Sequence, residues 1–333
     1  MLNAAIVGLG VWGRKLVDAV LHDGHPKSKR IRFTRVVTRT PQNAAAFANR
    51  HCLPVTDDYA LVLDDPNIQA VVLATPHSQH LGQIQAAAAA GKHVFVEKPL
   101  SLDSPSARSA VSACEAADVV LALGHNRRFL PALEALKDMI GTGQLGSLMH
   151  VEGNFCGNLA YGYRLGMWRA DPTENPAGGM AAMGIHMVDA LIHLCGPIAT
   201  VQARSLRQIL EIPVEDTTSM LLRFESGITG YLATISATPR LWRIQVFGSN
   251  GWAHMRDPST IDVRRQGGIG STLDNTLDYP VVDIELAELE AFAHAISGDA
   301  PYPITSAQAL HGIAVFEAVV RSVDRDGEVV NVS

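Results

Sequence analysis

The sequence predicts an α/β protein in two parts. A doubly wound parallel sheet takes residues 1–124, and an α/β domain on an open, mainly antiparallel sheet takes 125–333. Three observations point there. An apolar run at 4–7 leads straight into Gly8-Leu9-Gly10-Val11-Trp12-Gly13. A second run, Val94-Phe95-Val96, leads into Glu97-Lys98-Pro99. Strand-like and helix-like segments alternate through the first third, then give way to consecutive strands. With 333 residues the chain also exceeds the length, ~250–300 residues, at which single cores stop growing.

The elements follow in order. Residues 4–7 form the first strand, and Arg14-Lys15-Leu16-Val17-Asp18-Ala19-Val20 continues the first helix. Residues 33–38 form a second strand, 44–49 a helix, and 70–75 a buried strand that Pro76 ends. Ser78 is placed to cap the next helix, which crosses the alanine block 86–90 and stops at Gly91. The strand carrying Lys98 follows. Ser104 with Pro105 opens another helix, and 119–123 is a further strand. After about residue 125 come a helix at 131–140, an extended segment at 150–155, an irregular stretch at 156–179 and a helix from about 185 to 194. Strands at 198–206, 217–224, 228–236 and 242–248 then succeed one another, with a hairpin turn at Ser226-Gly227. Helices at 285–296 and 306–322 close the chain.

A strand that turns into a helix through G-x-G-x-x-G is the pattern of a dinucleotide pyrophosphate site. Gly8 permits the tight turn, Gly10 lets the backbone approach the pyrophosphate, and Gly13 lets the helix pack close to the strand. The helix N-terminus offers unpaired N–H groups and a positive dipole end to the phosphates. Lys98 ends a later strand of the same sheet, and the carboxyl ends of such strands form the ligand crevice. An ammonium there stabilises a developing alkoxide, and a neutral amine takes a hydroxyl proton; such transfer contributes ~10²–10⁴-fold. Pro99 biases Lys98 toward extended backbone. Together these predict hydride transfer on an alcohol or carbonyl.

The end of the second strand bears on the cofactor. The carboxylate that normally holds the ribose there is replaced by Thr38-Arg39-Thr40. Nothing acidic repels a 2′-phosphate, and Arg39 can stack on adenine and pair with that phosphate, so NADP is favoured over NAD. The polar loop at 22–30 accounts for a long spacing from Gly8. His77 and His80, just past the 70–75 strand, either line the cofactor or cap the helix that follows.

Composition narrows the class. A net charge of −6 gives no sign of a nucleic-acid partner, and no stretch reaches membrane-spanning length without polar interruption. The chain enters its first strand directly, which leaves no room for a signal peptide. Cys52, Cys114, Cys156 and Cys195 show no pairing pattern and fit reduced thiols in a cytoplasmic protein. His186, Asp189 and His193 share a helix face at ligand-like spacings, yet their neighbours are apolar, and no metal is expected.

Four motifs occur in order: 8–13; Ala74-Thr75-Pro76-His77-Ser78-Gln79-His80; 91–100, containing Glu97-Lys98-Pro99; and Gly124-His125-Asn126-Arg127-Arg128-Phe129. With Trp168-Arg169 and Gly184-Ile185-His186-Met187-Val188-Asp189, the chain resembles the Gfo/Idh/MocA oxidoreductases over nearly its whole length. The resemblance implies an N-terminal Rossmann domain and a C-terminal α/β domain. It also implies NAD(P)-dependent chemistry on sugars, cyclitols and related polyols, in dimers or tetramers formed through the open sheet.

By the same resemblance, Gly8, Leu9, Gly10, Val11, Trp12 and Gly13 bind the cofactor with Thr38, Arg39, Thr75 and Pro76. His77, His80, Glu97, Lys98 and Asn126 complete that set. Lys98 and His186 are the catalytic candidates. The family's Asp, four residues before the histidine, is Ala182 here, and Ala181 and Met183 cannot replace it. Asn154, Tyr163, Trp168 and Arg169, together with Lys98 and His186, are the substrate-side candidates, and the stretch 154–179 is expected to form the pocket wall. Tyr161 is a further stacking face on that stretch. Arg169 suits a carboxylate as well as a polyhydroxylated ring. Two alternatives stay open: glycosidic cleavage through transient oxidation by a retained cofactor, and a non-catalytic cofactor-sensing regulator.

Overall fold

Six parallel strands form the first sheet: β1 (Leu2–Val7), β2 (Ile31–Val37), β3 (Val55–Thr56), β4 (Ala70–Leu73), β5 (His93–Glu97) and β6 (Leu121–Gly124). Their order is β3-β2-β1-β4-β5-β6. The order reverses between β1 and β4, and ligands of such sheets bind outside the carboxyl ends at that point. Ala70, Val71, Val72 and Leu73 have no exposed surface, as expected of a central strand covered on both faces. The computed structural model describes residues 1–267 and 269–333.

The longer helices between these strands are α1 (Val11–Val20), α2 (Pro41–Arg50), α3 (His80–Ala89) and α4 (Ser104–Ala116). Gly91, at φ +68°, ends the α3 connection as expected. Ser78 does not take the cap position. It lies inside a 3₁₀ turn, His77–Gln79, that Pro76 starts at once, and no side chain caps that turn or α3. The cap of α4 is Asp103, whose carboxylate accepts the Ser106 N–H at 2.7 Å and its hydroxyl at 2.9 Å.

The chain divides into two compact units, Met1–Asn126 with Asp283–Leu310, and Arg127–Val282 with His311–Ser333. Chain order alone groups 283–310 with the second domain, but this segment packs with the parallel sheet. Its helix comes after α5 (Pro131–Gly141) and α6 (Ile185–Cys195) of the second unit and is α7 (Ile284–Ser297). Phe292 of α7 lies 5.9 Å from the Phe95 ring of β5. The buried Tyr302 hydroxyl donates to the Leu123 carbonyl at 3.0 Å.

The second unit is built on nine strands. They are β7 (Leu148–Cys156), β8 (Ile198–Leu206), β9 (Thr217–Phe224), β10 (Thr229–Ile235), β11 (Leu241–Gly248), β12 (Gly251–Met255), β13 (Thr260–Gln266), β14 (Thr272–Asp278) and β15 (Val330–Asn331). The order is β14-β13-β12-β11-β7-β10-β9-β8-β15, and β7 with β10 is its one parallel pair among the described residues. On β9, Thr218, Met220, Leu222 and Phe224 are buried while Leu221 and Arg223 are exposed, the alternation of a sheet covered on one face. α6 presses on β7 at Gly153, where a Cβ would come within 2.5 Å of the Met187 sulfur. The last helix, α8 (Ser306–Asp324), supplies Ser322, whose hydroxyl accepts the Ala203 N–H at 2.8 Å. β12, β13 and β14 extend the sheet beyond the strands read from sequence. β14 is exposed at nearly every position, so no apolar period announces it. Its register is held instead by Arg264–Asp274 and Thr276–Asp262 pairs directly across from each other. Among the described residues no helix is long and apolar enough to cross a membrane.

Candidate active site

The glycine-rich turn is fixed by backbone crowding on one side and open space on the other. Gly8 has φ +92°, and a Cβ there would lie 2.5 Å from the Ala74 carbonyl oxygen. A Cβ at Gly13 would lie 2.0 Å from the Gly8 oxygen. Apart from its chain neighbours, no atom of the described residues comes within 4 Å of a Cβ at Gly10. Gly10 precedes α1, whose first turn has no acidic residue and no capping side chain. Val11 is 83% exposed and Leu9 is buried. The unfilled N–H groups, the open side of Gly10 and the absence of a competing carboxylate fit a pyrophosphate.

The neighbouring strand ends are tied to this turn by buried side chains. The Trp12 indole N–H donates to the Glu97 carboxylate. Glu97 is 5% exposed, and burial pushes its carboxyl up to about 7, against the pull of the Lys98 charge and the Trp12 hydrogen bond. Gly124, at the end of β6, makes room for it: a Cβ there would lie 3.0 Å from a Glu97 oxygen. Glu285 of α7 takes the Lys15 ammonium at 2.6 Å and the Asn126 amide N–H at 2.8 Å. The Lys15 ammonium also lies 4.6 Å from the Trp12 ring centroid.

Lys98 follows Glu97 and is half-buried, joined to Pro99 by a cis peptide bond. His80 has no exposed surface; its Nδ1 lies 2.9 Å from the Pro99 carbonyl and its Nε2 3.2 Å from that of Thr75. The ring braces the ends of β4 and β5 from beneath. His77 is buried with its ring 5.9 Å from His80, and the Thr75 hydroxyl donates to Gln83 at 2.7 Å. Pro76 is half-buried and leads into the 3₁₀ turn. At the end of β2, the Thr38 N–H bonds the Thr56 carbonyl at 3.0 Å, whereas Arg39 is exposed, with no hydrogen-bond or ion-pair partner among the described residues.

In the second unit, His186 opens α6 and is 5% exposed. Ahead of it stands a π-helical turn, Met180–Gly184, which carries Ala182. Such turns are rare and frequent at functional sites. The turn packs against Thr234 of β10: a Cβ at Gly179 would lie 3.0 Å from the Thr234 hydroxyl, and one at Gly184 3.4 Å from its methyl. The His186 ring is 5.8 Å from Phe155, which meets Trp242 edge-on at 5.1 Å. The Arg127 guanidinium lies 5.4 Å from the Phe155 ring and 5.5 Å from the Trp242 ring. This cluster escapes sequence reading, although alternation on β7 and β11 makes Phe155 and Trp242 direct register partners.

Other residues on the face of His186 have separate partners. Asp189 receives a bidentate pair from Arg128 at 2.8 and 3.0 Å, and His193 pairs with Glu134 at 2.8 Å. Asn154 donates to the Ala233 carbonyl at 3.4 Å, and the Tyr161 hydroxyl to that of Ala237 at 3.3 Å. Tyr163 packs on a small apolar cluster of Ala160, Ala170, Leu210, Ile212 and Val214. Trp168 and Arg169 stack on each other, guanidinium to ring centroid 4.0 Å. The stretch at 156–179 thus shares a small core with the segment at 210–214.

A family model described as "Oxidoreductase family, NAD-binding Rossmann fold" matches residues 2–125, and the C-terminal-domain model of Gfo/Idh/MocA proteins matches 133–254. The chain belongs to the Gfo/Idh/MocA family. It is 29% identical over 225 residues to trans-1,2-dihydrobenzene-1,2-diol dehydrogenase of Sus scrofa, an alignment covering 67% of this chain and 65% of that protein. An oxidoreductase of Desulfitobacterium hafniense, provisionally described as NADPH-dependent, superimposes with TM-score 0.91 at 26% identity, over 99% of this chain and 97% of that one. Levoglucosan dehydrogenase in complex with NADH and levoglucosan shares the fold, with TM-score 0.88 at 21% identity, over 99% of both chains.

Proposed function

We propose that this family member is an NADP(H)-preferring dehydrogenase or reductase acting on a sugar-like or cyclic polyol. The observation that carries the reading is Lys98, which directly follows a buried carboxyl bonded to the helix of the phosphate turn. A nicotinamide cofactor, when bound, would supply or accept the hydride. Lys98 exchanges a proton with the reacting oxygen and offsets its developing charge. His186 holds the substrate hydroxyl. With alanine at 182, the π-helical turn ahead of His186 offers no carboxylate for proton transfer. Asn154, Tyr163, Trp168 and Arg169 belong to the substrate side of the same reading. Arg39, exposed at the end of β2, supports NADP over NAD, and the provisional description of the D. hafniense protein agrees. The name of the pig relative supports a cyclic vicinal diol as substrate. A homodimer or homotetramer through the outer face of the second sheet completes the proposal; Leu221, 57% exposed on β9, supports it.

The test is a panel of cyclitols, sugars, glycosides and cyclic trans-diols, read by the near-ultraviolet absorbance of reduced nicotinamide and by product analysis. We expect NADP⁺-dependent turnover on at least one cyclic diol. Product without net reduced cofactor would favour glycosidic cleavage instead, and tight cofactor binding with no turnover a regulator.

A further inference from the structure

We infer that Arg14 is a second cation for the 2′-phosphate of NADP(H), prebuilt where Arg39 is free to move. The inference rests on the NADP(H) reading above and deepens it. Arg14 follows Gly13 on α1 and is half-buried. Its guanidinium is held at three points. One N–H donates to the Asn43 carbonyl at 2.9 Å, another to the Leu9 carbonyl at 3.4 Å, and the Phe47 ring centroid lies 5.2 Å away. Leu9 belongs to the phosphate turn. Asn43 belongs to the first turn of α2, where its own N–H bonds the Thr40 carbonyl at 3.0 Å. The guanidinium therefore bridges the phosphate turn and the segment that carries Thr38, Arg39 and Thr40. An arginine has five N–H donors, and only two are used here.

Charge pairing separates Arg14 from its neighbour on the same ring. Arg50 shares the Phe47 ring at 5.0 Å, but it lies 3.9 Å from both Asp18 and Asp23. Asp18, one turn beyond Arg14, is taken by His51 at 2.9 Å as well. Among the described residues no carboxylate pairs with Arg14 or Arg39. Arg14, on the helix of the phosphate turn, and Arg39, just past β2, are thus cations that no carboxylate neutralises among the described residues. A planar fork suits a phosphate, which takes two parallel N–H bonds. Arg14 presents its remaining donors in a fixed position, and Arg39 closes over the adenosine from the exposed side.

Binding titrations decide it, using NADPH, NADH, 2′,5′-ADP and 5′-AMP against wild type, Arg14→Gln, Arg14→Lys and Arg39→Ala. Arg14→Gln should weaken NADPH and 2′,5′-ADP about tenfold and leave NADH and 5′-AMP within about twofold. Arg14→Lys should fall between wild type and Arg14→Gln. Equal weakening of all four ligands would make Arg14 a mere brace of the turn and overturn the inference. So would no change in either variant. If Arg39→Ala alone removes the preference, the NADP(H) reading survives and the inference fails. If wild type does not favour the 2′-phosphate ligands, both fail.

Discussion

At the carboxyl edge of the parallel sheet, position is dictated by backbone. Gly8 and Gly13 touch so closely that a single Cβ has no room, and Lys98 is set by the strand that ends one residue before it. In the second unit, position comes from side chains distant in sequence. Asp189 meets Arg128, 61 residues away, and His193 meets Glu134, 59 residues away. Steric rules that only glycine satisfies leave a mark on neighbouring letters. Pairings across sixty residues leave none. The first kind of site tolerates almost no change at Gly8 and Gly13, whereas the second depends on partners being present together.

The largest effect expected is in the second unit. The Arg128 and Asp189 side chains are 1% and 6% exposed, so Asp189→Ala removes the carboxylate that accepts two N–H bonds from a buried guanidinium. That should cost about 3–5 kcal/mol of stability, measured as a shift in the denaturant midpoint. A loss below about 1 kcal/mol would mean that the pair does not hold α6.

The glycines sharpen the contrast within the first unit. Gly13→Ala must displace a backbone oxygen 2.0 Å away and should destabilise by about 1–3 kcal/mol while weakening NADPH more than tenfold. Gly10→Ala meets nothing within 4 Å, so stability should stay within about 0.5 kcal/mol while cofactor affinity falls. If Gly10→Ala keeps full affinity, the open side of Gly10 is not where the pyrophosphate lies.

A smaller, pH-dependent effect is expected at Glu97. Burial raises its carboxyl from 4.5 to about 7, so the folded state holds the proton more tightly than the unfolded chain. That stability is complete below about pH 4.5 and is lost as pH rises to about 7. Thermal melts should therefore show Glu97→Gln gaining on wild type across this window and keeping a constant offset above it. A constant offset from pH 4 to pH 8 would mean that Glu97 titrates in the folded protein as it does in the unfolded chain.

Much of the first unit is legible in the sequence because its demands are local. The parallel strands read as apolar runs, and Gly91 stops its helix where a positive φ is needed. Ser78 misleads because a serine after a proline reads as a cap, while the chain there turns at once into a 3₁₀ segment. His80 reads either as a cofactor contact or as a helix cap, and the structure buries it on two carbonyls, a placement that residue type alone does not announce. In the second unit the π-turn at Met180–Gly184 has no letter pattern, and β14 lacks apolar alternation. The return of 283–310 to the first unit depends on Phe292 meeting Phe95, a contact between distant segments that no window of sequence contains.

The central claim is that Lys98 carries proton transfer while the phosphate turn holds the cofactor independently of it. The most direct measurement is steady-state turnover of Lys98→Met beside its NADPH affinity, on whichever substrate the panel identifies. Methionine keeps the bulk of the stem and removes the ammonium. The account predicts a loss of about 10²–10⁴-fold in turnover, with cofactor affinity near that of wild type. Unchanged turnover in Lys98→Met would contradict it, whatever the substrate proves to be.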